Sequence, residues 1–367
     1  MMTTTLTEAV TDSHHAAITA PRLRVVLMCD VMAGEQERFL RAYEQLRHQV
    51  AAVPGHVSDQ LCQSIEDPSR WLITSEWESA QPFLSWVDSE EHREMVKPLH
   101  GCVRDTRSLR FSIMRETAGD YVYDGPEPVV DGIVRHALTF TVKPGSEPEV
   151  ERILAGYASP RARVDDHTRL CRTSLFLHGN RVVRAVEVSG DLGAALRHVA
   201  MQPEVRAVEQ AINPYLEEAR DLDDPESARG FFMRAALPAV HRVASADAPA
   251  APVSRYAVHY PVRPGQGDPV VGLLARQDRQ AVEEGTPLVS STIFHRGDVV
   301  VRLIDLAGRA EADPALAVGA AGHPAAEALG KLLDLDEHHD LRTATGVARF
   351  LADHTMKLVT DRAAADA

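Results

Sequence analysis

All three tryptophans of the chain fall in "RWLITSEWESAQPFLSWVDSEEHREMV", residues 70–96, as Trp71, Trp77 and Trp86, with His92 close behind. Indoles offer flat faces and one N–H donor each, and imidazole is the side chain that ordinarily changes charge near neutral pH. Aromatic plates with one imidazole suit a planar phenolic ligand, giving stacking surface for its rings and a base for its proton. Trp71, Ile73, Ser75 and Trp77 alternate, so in a strand they share one face. Asp88 and Glu91 have capping-box spacing, starting a helix whose His92, Met95, Val96 and Leu99 share a face turned inward.

The elements that must position these residues recur along the chain. "RHALTFTVKPGSEPEV" from Arg135 and "RYAVHYPVRPGQGDPV" from Arg255 share a strand, a basic-Pro-Gly turn and a helix start. "SLFLHGNRVVRAVEV" from Ser174 and "TIFHRGDVVVRLIDL" from Thr292 share a strand, a glycine turn and a second strand, at the same spacing of about 120 residues. The first hundred residues follow that plan with less similarity. The order β-α-β-β-α-β predicts an α+β fold of three ferredoxin-like modules, each an antiparallel sheet with helices on one face. The bare sheet faces pair as dimeric α/β barrels. We expect a loose polar tail over 1–20 and modules over 21–116, 131–243 and 253–362. "RETAGDYVYDGPEPVVD" and "VASADAPAAPVS" read as linkers. The second and third modules are expected to pair within the chain, and the first with its copy in another chain as a homodimer.

Composition narrows the function. A hydrophobic fraction of 44% with 25% charged residues is ordinary for a globular protein. A formal charge of −14 argues against nucleic acid as partner, which needs clustered cations. The N-terminus carries no basic stretch followed by an apolar run, so neither signal peptide nor membrane anchor is expected. Cys29, Cys62, Cys102 and Cys171 form no CxxC, which fits reduced thiols in cytoplasm and no metal site. His14-His15 and His338-His339 diverge as neighbours and are not expected to bind metal.

The repeats also act as an internal control. With Glu76, Glu187 and Asp305 in register, Trp71, Ile73, Ser75 and Trp77 match Val182, Arg184, Val186 and Val188, then Val300, Arg302, Ile304 and Leu306. Trp86 matches Val199 and Ala320, and His92 matches Val205 and Ala326. One copy therefore carries aromatic and titratable side chains where its sisters are mostly aliphatic.

With "PGHVSDQLCQS", "RWLITSEWES" and "FLSWVDSEEHREMV", residues 22–115 resemble the antibiotic biosynthesis monooxygenase family, particularly its small quinone-forming members. The family pattern Glu-x-Trp followed by Ser-x-x-His matches Glu76, Trp77, Ser89 and His92. The second module resembles tetracenomycin-type polyketide cyclases through its hairpin, helix and "PYL". The second and third modules together resemble SchA/CurD-like proteins. The resemblance implies oxidation of a polycyclic aromatic polyketide intermediate to a quinone, with O2 as cosubstrate and no flavin, haem or metal. It further implies other polyketide tailoring enzymes as partners. In it His92 and Trp77 are catalytic, while Trp71, Trp86, Phe83 and Ile73 line the substrate pocket. Ile73 and Phe83 depart from relatives that carry a polar amide and an aromatic hydroxyl there. A possible cyclase site combines Arg184, Arg172 and His136; these arginines could equally pair with Glu187 and other acids. A purely non-redox cyclase and a non-catalytic polyketide-binding scaffold stay open.

Overall fold

The computed structural model describes residues 22–364 apart from 88, 119–120, 125–130, 159 and 337. The expected tail and Asp88 of the capping box lie outside the described residues.

The first module runs β1 (Leu23–Val31), α1 (Gln36–Val50), β2 (His56–Gln63), β3 (Arg70–Trp77), α2 (Ala80–Val87), α3 (Glu90–His100) and β4 (Val103–Ser112). Its strands form one antiparallel sheet in the order β2-β3-β1-β4. Odd-numbered residues of β1 (Leu23, Val25, Cys29, Val31) turn to the helices and join Phe39, Leu46, Trp77, Phe83 and Leu99 in one core. The segment read as the first linker contains a hairpin, β5 (Arg115–Ala118) with β6 (Tyr121–Asp124). A polar, aperiodic composition hides such a pair because two short strands bury too little to require alternation.

The remainder runs β7 (Ile133–Thr141), α4 (Glu147–Gly156), β8 (Arg169–His178), β9 (Arg181–Ser189), α5 (Leu192–Ala200), α6 (Pro203–Ile212), α7 (Pro225–Ala235) and β10 (Ala236–Ala244). Then follow β11 (Val253–Pro261), α8 (Gly267–Glu283), β12 (Leu288–Arg296), β13 (Val299–Ala307), α9 (Pro314–Val318), α10 (His323–Leu332), α11 (Ala344–His354) and β14 (Thr355–Ala363). These strands close into a barrel in the order β10-β12-β13-β11-β14-β8-β9-β7. Each repeat keeps the order of the first module, and its last strand crosses to its sister: β10 pairs with β12, and β14 with β8. Closure satisfies the edges of both sheets and buries Ala137, Phe176, Ala185, Leu237, Phe294 and Leu303 inside.

Pairing registers align the three copies. Arg24 lies opposite Glu76, Arg135 opposite Glu187 and Arg255 opposite Asp305. The acids occupy the face away from the helices, so the residues on either side of each acid in sequence belong to the helix face. No helix among the described residues is long and apolar enough to cross a membrane.

Candidate functional site

In the first module, β3 carries Trp77 at its end, and the chain turns at once into α2, which returns Phe83 and Trp86 over it. Trp77 is fully buried, and its indole N–H donates to Ser75 Oγ at 2.9 Å. Trp86 stacks on Trp77 at 5.3 Å and 29°. Phe83 meets the Trp77 ring edge-on at 5.4 Å, with the Arg110 guanidinium 5.4 Å from the Phe83 ring centre. His92 sets its ring edge-on to Trp86 at 4.5 Å. Ser89 explains the spacing from Trp86 to His92: its hydroxyl donates to the Trp86 carbonyl at 2.6 Å and, as N-cap of α3, accepts from the His92 amide at 3.0 Å.

The structure thus brings together Trp77, Trp86, Phe83 and His92, and it separates Trp71. Six residues of strand put Trp71 roughly 20 Å along β3 from Trp77, and it packs instead on Phe39 of α1 at 5.5 Å. Ile73 lies between them, partly buried in the same core. The indole N–H groups of Trp71 and Trp86 are buried and find no hydrogen-bond partner among the described residues. Such a donor costs about 1–3 kcal/mol until an acceptor reaches it. The aromatic plates touch one another, so a ligand between them requires α2 to lift from the sheet.

A second imidazole, not anticipated from the sequence, joins the cluster. His56 is cross-strand from Trp77 and meets it edge-on at 5.1 Å. The register of β2 shifts between His56 and Ser58. Simple alternation would turn His56 away from the helices, and the irregularity reverses that. Its signal in the sequence was only its position after Gly55, at the start of a strand. Burial pushes the His56 pKa below its ordinary value, against an opposing pull from Asp59, 3.9 Å away. Asp59 in turn accepts a hydrogen bond from Tyr43 of α1.

In the second module, Arg184 and His136 lie on the helix side of the sheet, whereas Arg172 turns into the barrel. This separation follows from the registers, since Arg172 lies opposite Glu187 and Leu175 opposite Arg184. Arg172 pairs with Asp361 at 2.5 Å. Arg184 pairs with Glu209 of α6 at 2.8 Å, and Arg220 approaches the same carboxylate at 2.6 Å. The partner of Arg184 is therefore Glu209; Glu187 is on the other face and accepts from Arg255 at 2.8 Å. Burial disfavours the charge on Arg184, but Glu209 outweighs it and holds the guanidinium protonated. Burial likewise opposes the Glu209 charge, and the two arginines pull its pKa below the ordinary carboxylate range. Burial pushes His136 down to about 4. In the third module the equivalent Arg302 is sealed against Asp278 at 2.5 Å and donates to the carbonyls of Leu316 and Ala317.

Residues 133–245 and 253–364 each match the SchA/CurD like domain, and residues 22–98 match the antibiotic biosynthesis monooxygenase family. The chain belongs to the SchA/CurD-like family. Among its relatives, the polyketide synthase CurD of Streptomyces cyaneus is 54% identical, the match covering 95% of this chain and 97% of that one. A 42.8 kDa protein in the whiE locus of Streptomyces coelicolor is 55% identical over 95% of this chain and 90% of that one. Protein SchA of Streptomyces halstedii is 53% identical over 93% of each. Among solved structures, SnoaB, a cofactor-independent oxygenase from Streptomyces nogalater, is similar to 28% of the SchA/CurD-like chain over 100% of its own, at 16% identity and a TM-score of 0.25. Among the described residues, no group of three or more His, Cys, Asp or Glu could hold a metal ion.

Proposed function

We propose that this SchA/CurD-like protein is a cofactor-independent monooxygenase of aromatic polyketide biosynthesis, acting in its first module. The observation that carries the reading is the cluster of Trp77, Trp86, Phe83, His92 and His56, in which Trp77, Trp86 and His92 stand at positions where the sister modules are aliphatic. Val188 and Leu306 stand in for Trp77 and are buried in equally well-formed cores, so the fold does not require an indole there.

An electron-rich phenolate can itself reduce O2, so the protein has only to bind it, deprotonate it and exclude water. The indole faces hold the fused rings, and Trp86 Nε1 offers a donor to a ligand oxygen. His92 or His56 takes the phenolic proton. In the balanced reaction, an anthrone methylene becomes a ketone carrying one oxygen atom of O2. The other oxygen leaves as water with the two methylene hydrogens, and O2 is the sole oxidant. The test is incubation with an anthrone under air and under nitrogen, following O2 uptake and quinone absorbance. Quinone formation in the absence of O2 overturns the reading.

A second reading, a non-redox cyclase in the second module, draws on one observation. His136 shares the helix face with Arg184, whose Nε is buried without a hydrogen-bond partner among the described residues. Ring closure that proceeds unchanged under nitrogen would favour it.

The same proposal makes the first module a homodimer. Opposite its helices, Met28 and Phe111 are 46% and 51% exposed, and Val26, Leu72 and Leu109 lie beside them in register. Among the described residues, strands β2 and β4 are both open edges. The barrel of the other two modules seals the equivalent faces by pairing fourth strand with second strand. A second copy can do the same here. Light scattering should return a dimer, and a monomer at micromolar concentration would remove this part of the proposal.

A further inference from the structure

We infer that a cavity of about 210 Å³ at the junction of the second and third modules is a binding site for an aromatic carboxylate. It lies at one end of the barrel. Arg181 at the start of β9 and Arg234 near the end of α7 come from the second module, and Arg296 at the end of β12 from the third. The site therefore exists only because the two repeats are joined, and it is distinct from the aromatic cluster of the first module.

Charge is the first argument. Three arginines and one carboxylate, Glu218, line the cavity in a chain whose formal charge is −14, and Arg296 is held there by donating to the carbonyls of Arg234 and Ala236 at 3.1 and 3.4 Å. Glu218 is already engaged by Arg234. Arg181 is partly buried and donates to Thr139 Oγ1 at 3.2 Å, a neutral acceptor. Among the described residues no carboxylate lies within ion-pair distance of it. Glu217 acts on Arg181 only from farther away and accepts instead from Asn180 at 3.1 Å. A desolvated guanidinium without a counter-ion is costly, and an incoming anion relieves that cost.

Shape and polarity supply the second argument. Phe140 and Phe231, 6.2 Å apart and inclined at 49°, form apolar walls beside the arginines. The volume is below that of a drug-sized site and suits a ligand of one or two rings. A guanidinium fork matches a planar carboxylate with two parallel hydrogen bonds, while the ring of the acid lies against the phenylalanines.

The test is calorimetric titration of the full chain with benzoate, benzyl alcohol and inorganic phosphate. Benzoate should bind at one site per chain, at least 10-fold more tightly than either of the others. Arg181→Gln should weaken benzoate at least 10-fold, and Arg234→Gln, on the exposed rim, several-fold with an unchanged circular dichroism spectrum. Trp77→Leu should leave benzoate binding as it is, so this site and the first-module reading fail separately. Equal binding of benzyl alcohol would overturn the anionic part of the inference, and equal binding of phosphate the aromatic part. Unchanged benzoate affinity in Arg234→Gln, together with unchanged affinity or misfolding in Arg181→Gln, would overturn the site itself.

Discussion

Trp77→Leu copies the residue that the third module uses at the same position. Loss of a fully buried indole costs about 2–4 kcal/mol, which urea unfolding will read, and the variant should stay folded while anthrone oxidation is lost. Oxidation at the parental rate would remove the aromatic cluster from the chemistry. The two histidines can be told apart by pH. A base is active when neutral, and burial holds His56 below its ordinary value of 6.5. If His56 takes the proton, kcat/KM falls only as pH drops below about 6.5 through that depressed pKa. His56→Ala then loses about 10²-fold or more in rate, whereas His92→Ala keeps the same acid limb. The reverse pattern assigns the proton to His92. At Arg302, removing only Asp278 strands a buried cation: Asp278→Ala should cost about 3–5 kcal/mol. The double variant Asp278→Leu/Arg302→Met, with no charge left to bury, should recover most of it in the same unfolding measurement.

At the scale of elements, access to the aromatic cluster depends on α2, which carries both Phe83 and Trp86. That helix rests on Gly55, where an added Cβ would lie 2.5 Å from Pro82 Cβ and the φ is +82°. Gly55→Ala should therefore push α2 away from β3 and cost about 1–3 kcal/mol. Tryptophan emission should shift to the red as Trp86 is exposed. Gly34→Ala is the control, since its φ is +85° but none of the described residues lies within 4 Å of the added Cβ. It should show the backbone cost without the spectral shift. A shift of equal size in both variants would mean that α2 is not held at Gly55.

At the scale of the molecule, five buried or half-buried histidines of the barrel half have pKa values below the ordinary 6.5, His295 and four others. Burial alone takes His136 down to about 4; it is the first cause also for His241 and His354, at about 4, and for His259, at about 3, where Arg181 adds to it. Lowered folded-state values mean that the unfolded chain binds more protons between about pH 6.5 and the folded-state values, so stability is lost as pH falls through that window. The urea midpoint of the barrel transition should be lower at pH 5 than at pH 7. A midpoint independent of pH would show these imidazoles to be solvated in the native state.

The three-fold repeat, the α+β class, the order of elements and the family resemblance were all legible from residue patterns. They rest on local periodicity and on similarity between copies of one chain. The spacing from Trp77 through Trp86 to His92 was legible for the same reason, because a strand end, a short helix and an N-cap are contiguous. What needed the tertiary structure were the relations that contiguity does not carry. The irregularity at β2 brings His56 onto Trp77, strand length takes Trp71 away from it, and opposite faces of β8 and β9 part Arg172 from Arg184. The partners of the buried arginines, Glu209 and Asp278, come from helices, and the arginine cavity needs side chains from two modules. A strand's alternation determines which neighbours share a face, whereas only closure of the barrel and the docking of helices decide what that face meets.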